Sequence, residues 1–250
     1  MLSLLSARCQ NLPTAIRLET PPGWDWCHQS YSRQLITPAH HASPSRWRTT
    51  SCAPCWRPGA PRIHDGHALN AVLAAYPALA SQLSQYCLQR EVCRSLQLLP
   101  GGPSIGRVSR LNPGDANLAL DGGVSELIGY GSGLTPAGDD YLFGYLAALW
   151  PWQRRAPVAA HLKLLRQAIK NQLHRTAGIS RHYLSLALQG HYSPSIDHLT
   201  SALISAKPPA DVAFAAIGVM RSGPSSGTEC LAGFLHGIRT PEKVAQEEMS

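Results

Sequence analysis

The sequence predicts an α+β chain, a small β-containing N-terminal part followed by a mainly helical C-terminal domain. Three observations carry that expectation. Short apolar pieces near the start are cut by turn residues. One helical period follows another from Gly131 to Ile238. Two glycine-rich turns, far apart in the chain, resemble each other and both lead into helices. The division is placed at 1–123 for a mixed N-terminal region and 124–250 for a helical domain.

Taken in order, Leu2 to Leu5 and Ala15 to Glu19 read as strands, separated by Asn11 and Pro13 and closed by Pro21-Pro22-Gly23. Asp65 to Ser95 reads mainly as helix, interrupted at Pro77, with Leu69, Val72, Leu73 and Tyr76 on one face. Pro100 to Gly123 is a zone of Gly, Pro and Asn loops, with a strand at Leu118 to Leu120. Pro136 suits a first helical position with Thr135 as its N-cap, and that helix ends near Trp150-Pro151. Val158 to Leu173 is amphipathic: Leu162, Leu165, Ile169 and Leu173 form the inner face, Lys163, Arg166 and Lys170 the outer. Ile179 to Leu188 closes at Gly190, and Ser195 to Ser205, Asp211 to Met220 and Thr228 to Ile238 complete the set.

With 44% hydrophobic and 15% charged residues over 250 positions, the chain buries a core rather than remaining disordered. Its formal net charge of +7 invites a nucleic-acid reading, but Arg33, Arg46, Arg48, Arg57 and Arg62 lie together in a stretch without acids. The remainder is nearly balanced and carries no basic helix face with interleaved aromatics, so no nucleic-acid partner is expected. No apolar run approaches the roughly 20 residues of a membrane span, and Met1 to Leu12 lacks the basic start and cleavage site of an export signal. A cytoplasmic chain is expected, its seven Cys held as free thiols. Cys52-Ala-Pro-Cys55 has zinc-ligand spacing, but no second close pair completes four ligands.

Residues 33–63 are anomalous: rich in Arg, Pro, Ser, Trp, Cys and His, free of acids and without period. Read two nucleotides later, Pro44 to Gly59 yields, with plausible GC-rich codons, Leu-Ala-Leu-Glu-Asp-Asp-Val-Leu-Arg-Ala-Val-Leu-Glu-Ala-Gly. That is an amphipathic helix with a glycine stop. The segment therefore reads as a local frameshift, the alternative being a Pro-rich surface loop.

The chemistry concentrates in the repeated turns. Gly138-Asp139-Asp140-Tyr141-Leu142-Phe143-Gly144-Tyr145-Leu146 and Gly227-Thr228-Glu229-Cys230-Leu231-Ala232-Gly233-Phe234-Leu235 share glycine, acid, leucine, glycine, aromatic and leucine at matching offsets. Gly131-Ser132-Gly133-Leu134-Thr135-Pro136 precedes the first, and Ser222-Gly223-Pro224-Ser225-Ser226 the second. Helix starts leave backbone N–H groups without helical partners, so the pair suggests one composite site for a small acidic substrate. Gly131, Gly133, Thr135, Gly138, Ser180, Ser225, Ser226 and Gly227 are the candidate anion-binding residues. Asp139, Asp140 and Glu229 are the candidate catalytic residues, with three uses open: metal ligand, acceptor of amide protons, or general base. A divalent metal is therefore an open cofactor. Gly144 and Gly233, each costing about 1 kcal/mol inside a helix, suggest that the two helices pack closely on each other. His182, His191 and His198 have no metal-ligand pattern and read as surface groups.

Gly131-Ser-Gly-Leu-Thr-Pro-Ala-Gly-Asp-Asp140, Thr176 to Ser180 with Ala187 and Gly190, and Gly223-Pro-Ser-Ser-Gly-Thr-Glu229 with Leu231 and Gly233 resemble the AllH family. The resemblance covers about residues 124–238, is faint over 1–32 and absent across 33–63. It implies a subunit of oxamate carbamoyltransferase in allantoin degradation, exchanging a carbamoyl group between oxalurate and phosphate alongside other subunits. It equally admits a non-catalytic ligand-binding or assembly subunit, or an inactive frameshifted relative. The family's second motif usually reads Gly-His-x-Ser-Gly-x-Asp; here Pro224 stands at the His and Glu229 at the Asp.

Overall fold

A computed structural model of the chain describes residues 3–6, 15–18, 66–90, 110–111 and 117–241. The 33–63 segment, with Cys52 and Cys55, lies outside the described residues. The chain divides into two compact units, Met1–Arg57 and Pro58–Ser250. In the first, β1 (Ser3–Ser6) and β2 (Ala15–Leu18) pair in parallel, with Ser3 opposite Ala15 and Ser6 opposite Leu18.

The second unit comprises, among its described residues, eight α-helices and no strand. They are α1 (Gly66–Gln89), α2 (Asn117–Leu127), α3 (Ala137–Leu149), α4 (Ala156–Gln172), α5 (Gly178–Ala187), α6 (Pro194–Ile204), α7 (Pro209–Met220) and α8 (Ser226–Ile238). The expected α+β class is thereby corrected: among its described residues the second unit is all-α. Two four-residue strands make one short pair, too little for a layer against which helices pack.

Two local expectations are corrected as well. Leu118 to Leu120 belongs to α2, whose Leu120, Val124 and Leu127 recur at helical spacing and are all buried. The loop zone had been expected to run to Gly123. A Cβ on Gly123 would stand 2.9 Å from the Arg110 Cβ, so close packing on the preceding turn explains that residue. In α1 the helix continues through Pro77, where a break had been expected. Tertiary packing of Val72, Leu79, Leu83 and Cys87, all buried, outweighs the lost hydrogen bond.

α3 and α8 form the centre. Both are apolar nearly all round, as helices enclosed on every side must be. They run side by side in the closest-packed pair of the unit. A Cβ on Gly144 would overlap the Cys230 carbonyl oxygen, and one on Gly233 would overlap that of Tyr141. Tyr141 and Cys230 occupy the same offset in the two repeats, so each glycine admits the equivalent carbonyl of its partner. The contact is reciprocal. The outer flanks also correspond: a Cβ on Gly138 would overlap the Leu127 carbonyl at the end of α2, and one on Gly227 that of Val219 near the end of α7. α2 packs on α4, α5 on α3, α6 on α7, and α1 on α6, α7 and α8.

Candidate functional site

The two helix starts meet. Thr135 Oγ1 and Ser226 Oγ are 2.8 Å apart, although 91 positions separate them in the chain. Thr135 was expected to cap its own helix. Pro136 instead occupies the N-cap with φ −53° and ψ 144°, no side-chain cap bond forms, and the hydroxyl is released to bridge to α8.

Asp140 lies beside this bridge in the first turn of α3, with its Oδ2 buried and without a hydrogen-bond partner. Burial pushes its carboxyl up from 3.8 to about 8. The hydroxyls of Ser226 and Thr135 oppose that rise, while the charges of Asp139 and Glu229 add to it. Glu229, 1% exposed, sits at the matching first-turn position of α8. Cys230 follows it, its thiol pushed up by burial and by the Asp140 charge.

Asp139 serves a different end. Its Oδ1 accepts the Gly129 N–H at 2.8 Å, and its Oδ2 accepts the hydroxyls of Ser180, at 2.6 Å, and Thr176. It is 1% exposed, and Ser180 is engaged with it. Adjacent aspartates therefore point to opposite tasks, one bonded three times over and one with a carboxylate oxygen unbonded.

Of the remaining candidates, Gly131 and Gly133 take positive φ, 110° and 103°, in an exposed loop that holds Leu134 outward. The Gly138 N–H donates to Tyr130 O at 2.9 Å and the Gly227 N–H to Ser222 O at 2.8 Å. The Asp139 and Asp140 amides both reach Pro136 O, and those of Thr228 and Glu229 reach Ser225 O. These backbone donors are engaged inside the fold. The two starts thus assemble chiefly side-chain groups: Thr135, Ser226, Asp140 and Glu229. Among the described residues, no group of three or more His, Cys, Asp and Glu is placed to hold a metal ion, and Asp139 is occupied with its own donors. A cleft of about 330 Å³ lined by Ala71, Ala75, Leu79, Leu203 and Val212 includes none of the candidate residues.

Sequence reasoning missed a buried polar network along the α3–α8 interface. Tyr145 Oη donates to Leu111 O at 2.8 Å and meets His161 Nε2 at 3.1 Å and Thr240 Oγ1 at 3.0 Å. Its single proton goes to the carbonyl, so His161 and Thr240 act as donors to it. Burial lowers His161 to about 4, leaving the ring neutral. Tyr141 Oη lies 3.0 Å from His236 Nδ1. The Tyr141–Tyr145 spacing of four, on a helix apolar all round, was the available signal.

Comparison with known proteins bears on this region. Residues 127–238 match the model of AllH, described as oxamate carbamoyltransferase subunit AllH. Over these residues the chain is similar to the AllH family. No curated protein and no solved structure matches the chain. The matched region begins at the end of α2 and closes at the end of α8, so it contains both helix starts, the Thr135–Ser226 contact between them and the bonds of Asp139 to Gly129, Thr176 and Ser180. The family's description as a subunit implies further subunits for its members. Among the described residues, no helix is long and apolar enough to cross a membrane.

Proposed function

We propose that this chain is a subunit of a carbamoyl-transferring complex, and that the joined starts of α3 and α8 hold the small acidic substrate. The observation that carries the reading is the 2.8 Å contact between Thr135 and Ser226, with Asp140 beside it, inside the AllH region. In the reaction, the carbamoyl carbon of oxalurate loses its bond to the oxamate nitrogen and gains one to a phosphate oxygen, and the leaving nitrogen takes a proton. The groups present suit these demands. Hydroxyls of Thr135 and Ser226 donate to carboxylate or phosphate oxygens. Asp140, whose carboxyl rises to about 8, keeps its proton at neutral pH and offers it to the leaving nitrogen. Glu229 accepts from carbamoyl N–H groups. A carboxyl that keeps its proton also removes the repulsion that two adjacent acids would present to an anion.

The test is calorimetric binding of phosphate and of oxamate to the purified chain, together with carbamoyl phosphate formation alone and with partner subunits. Binding that Thr135→Val and Ser226→Ala each weaken by ten-fold or more, with turnover in the complex, is the expected result. Binding without turnover in the complex reduces the chain to a ligand-binding subunit. Absence of both defeats the reading.

A further inference from the structure

We propose that Asp139 is the positioning residue of this site, a buried acceptor that locks the Gly129 turn and the 176–180 turn onto the start of α3 and so sets Asp140 against Ser226 and Glu229. This deepens the carbamoyl-transfer reading and rests on it. The argument begins with the donors. Gly129 follows the end of α2 at a positive φ of 74°, and a Cβ there would stand 2.8 Å from the Arg175 carbonyl oxygen. Thr176 and Ser180 flank the start of α5. Asp139 is thus bonded to the chain leaving α2 and to the chain entering α5, from the first turn of α3.

An α-helix start needs no such tie for its own sake. Here the α3 amides already bond to Tyr130 and Pro136 carbonyls. What the tie fixes is the rotation and height of the first turn, and Asp140 is the next residue along. The donors to Asp139 are neutral. The nearest cations in sequence are spent elsewhere: Arg175 on Ser125 and Gln172, Arg181 on the carbonyls of Leu173, His174 and Thr176. Asp139 neighbours Asp140 in the same turn and adds to the rise of its carboxyl, as does Glu229 of α8, where Cys230 also faces Asp140. Both the placement and the field at Asp140 therefore pass through Asp139.

The experiment is a carboxyl-carbon NMR titration of the full chain labelled at aspartate, with hydrogen exchange of the Gly129 amide. Asp139→Asn should lower the Asp140 midpoint, as one negative neighbour is lost, and speed Gly129 exchange at least ten-fold. Ser180→Ala keeps the carboxylate and two donors, so it reports even if the first variant fails to fold. It should speed Gly129 exchange and displace the Asp140 midpoint. An Asp140 titration identical to wild type in the folded variants overturns the proposal. The titration uses no substrate, so it can fail while phosphate still binds at Thr135 and Ser226, and it can succeed where phosphate does not bind.

Discussion

The starts of α3 and α8 share a backbone solution and differ in chemistry. Each places a glycine where its helix touches the preceding one, Gly138 on Leu127 and Gly227 on Val219, and each places a second glycine against the other helix. The residue after the first glycine then diverges. Asp139 reaches outward to Gly129, Thr176 and Ser180, whereas Thr228 turns back to donate to Ser225 O at 2.6 Å within its own turn. Asp139 thus ties its start to two neighbouring segments, whereas the Thr228 hydroxyl bonds within its own turn. The difference teaches that the glycines specify how the pair packs, while the polar residue beside them sets what each first turn is bonded to.

The largest effect should come from breaking what the two starts share. Gly144→Val and Gly233→Val place side-chain carbons where carbonyl oxygens now stand, and neither carbonyl belongs to a flexible side chain. Both variants should fail to fold cooperatively, since even modest overpacking of a core costs about 1–3 kcal/mol. Gly133→Ala is the control. Nothing lies within 4 Å of its Cβ position, so only the strain of its positive φ remains, about 1–2 kcal/mol. Urea denaturation of the three variants decides the matter. A cooperative Gly144→Val protein near wild-type stability would remove the reciprocal contact from the account.

A second break compares the Asp139 bonds with the Thr228 bond. Asp139→Ala leaves the Gly129 N–H and two hydroxyls without their acceptor in a buried place. It should cost about 3 kcal/mol, because each stranded buried donor costs about 1–3 and hydroxyls can turn elsewhere. Thr228→Val removes one hydroxyl-to-carbonyl bond and should cost about 1 kcal/mol. Equal losses in thermal and urea melts would erase the distinction between the two starts.

The extent to which this was legible follows from the kind of signal each residue carries. Glycines inside helices are costly, so Gly144 and Gly233 announced a close helix pair, and the pair is there. The amphipathic stripe of Leu162, Leu165 and Ile169 likewise placed α4, and all three are buried. α2 was lost because Gly122 and Gly123 argue locally against a helix, and only the fold reveals Arg110 against Gly123. The α+β expectation gave two short strands the weight of a layer. Within the site, Asp139 and Asp140 are indistinguishable by spacing: both are first-turn acids. Their division depends on Gly129, Thr176 and Ser180 arriving from other segments, which no local pattern encodes. The Thr135 hydroxyl was assigned to its own helix for the same reason, since capping is the local use and Ser226 the distant one.

Asp140 offers a test in pH. Its carboxyl is raised from 3.8 to about 8, so between these values the folded chain keeps a proton that the unfolded chain releases. Stability contributed by this group is complete below about 4 and declines as pH rises to about 8, with a slope approaching 1.4 kcal/mol per unit. His161, lowered to about 4, acts in the opposite sense: its contribution is complete above 6.5 and is lost as pH falls toward 4. The difference between Asp140→Asn and wild type isolates the first term. The variant should gain on wild type steadily from pH 5 to pH 8 in denaturation experiments, and carbamoyl transfer should be lost with it. A stability difference independent of pH would show that Asp140 ionises as an ordinary surface acid.

The smallest effect concerns the bridge between the starts. Ser226→Ala removes the partner of the Thr135 hydroxyl and one of the two hydroxyls that lower the Asp140 carboxyl. One neutral hydrogen bond is worth about 1 kcal/mol, so the melt should move little. The Asp140 midpoint should move upward from about 8, because a stabiliser of its charged form is gone. Thr228→Val costs a similar amount of stability but deletes a hydroxyl that donates to Ser225 O and is not among the groups that shift Asp140, so the midpoint should stay in place. The two variants thus match in stability and part in titration. If both leave the midpoint unchanged, the Thr135–Ser226 contact joins two helix ends without reaching the carboxyl beside it, and the composite site loses the link between its halves.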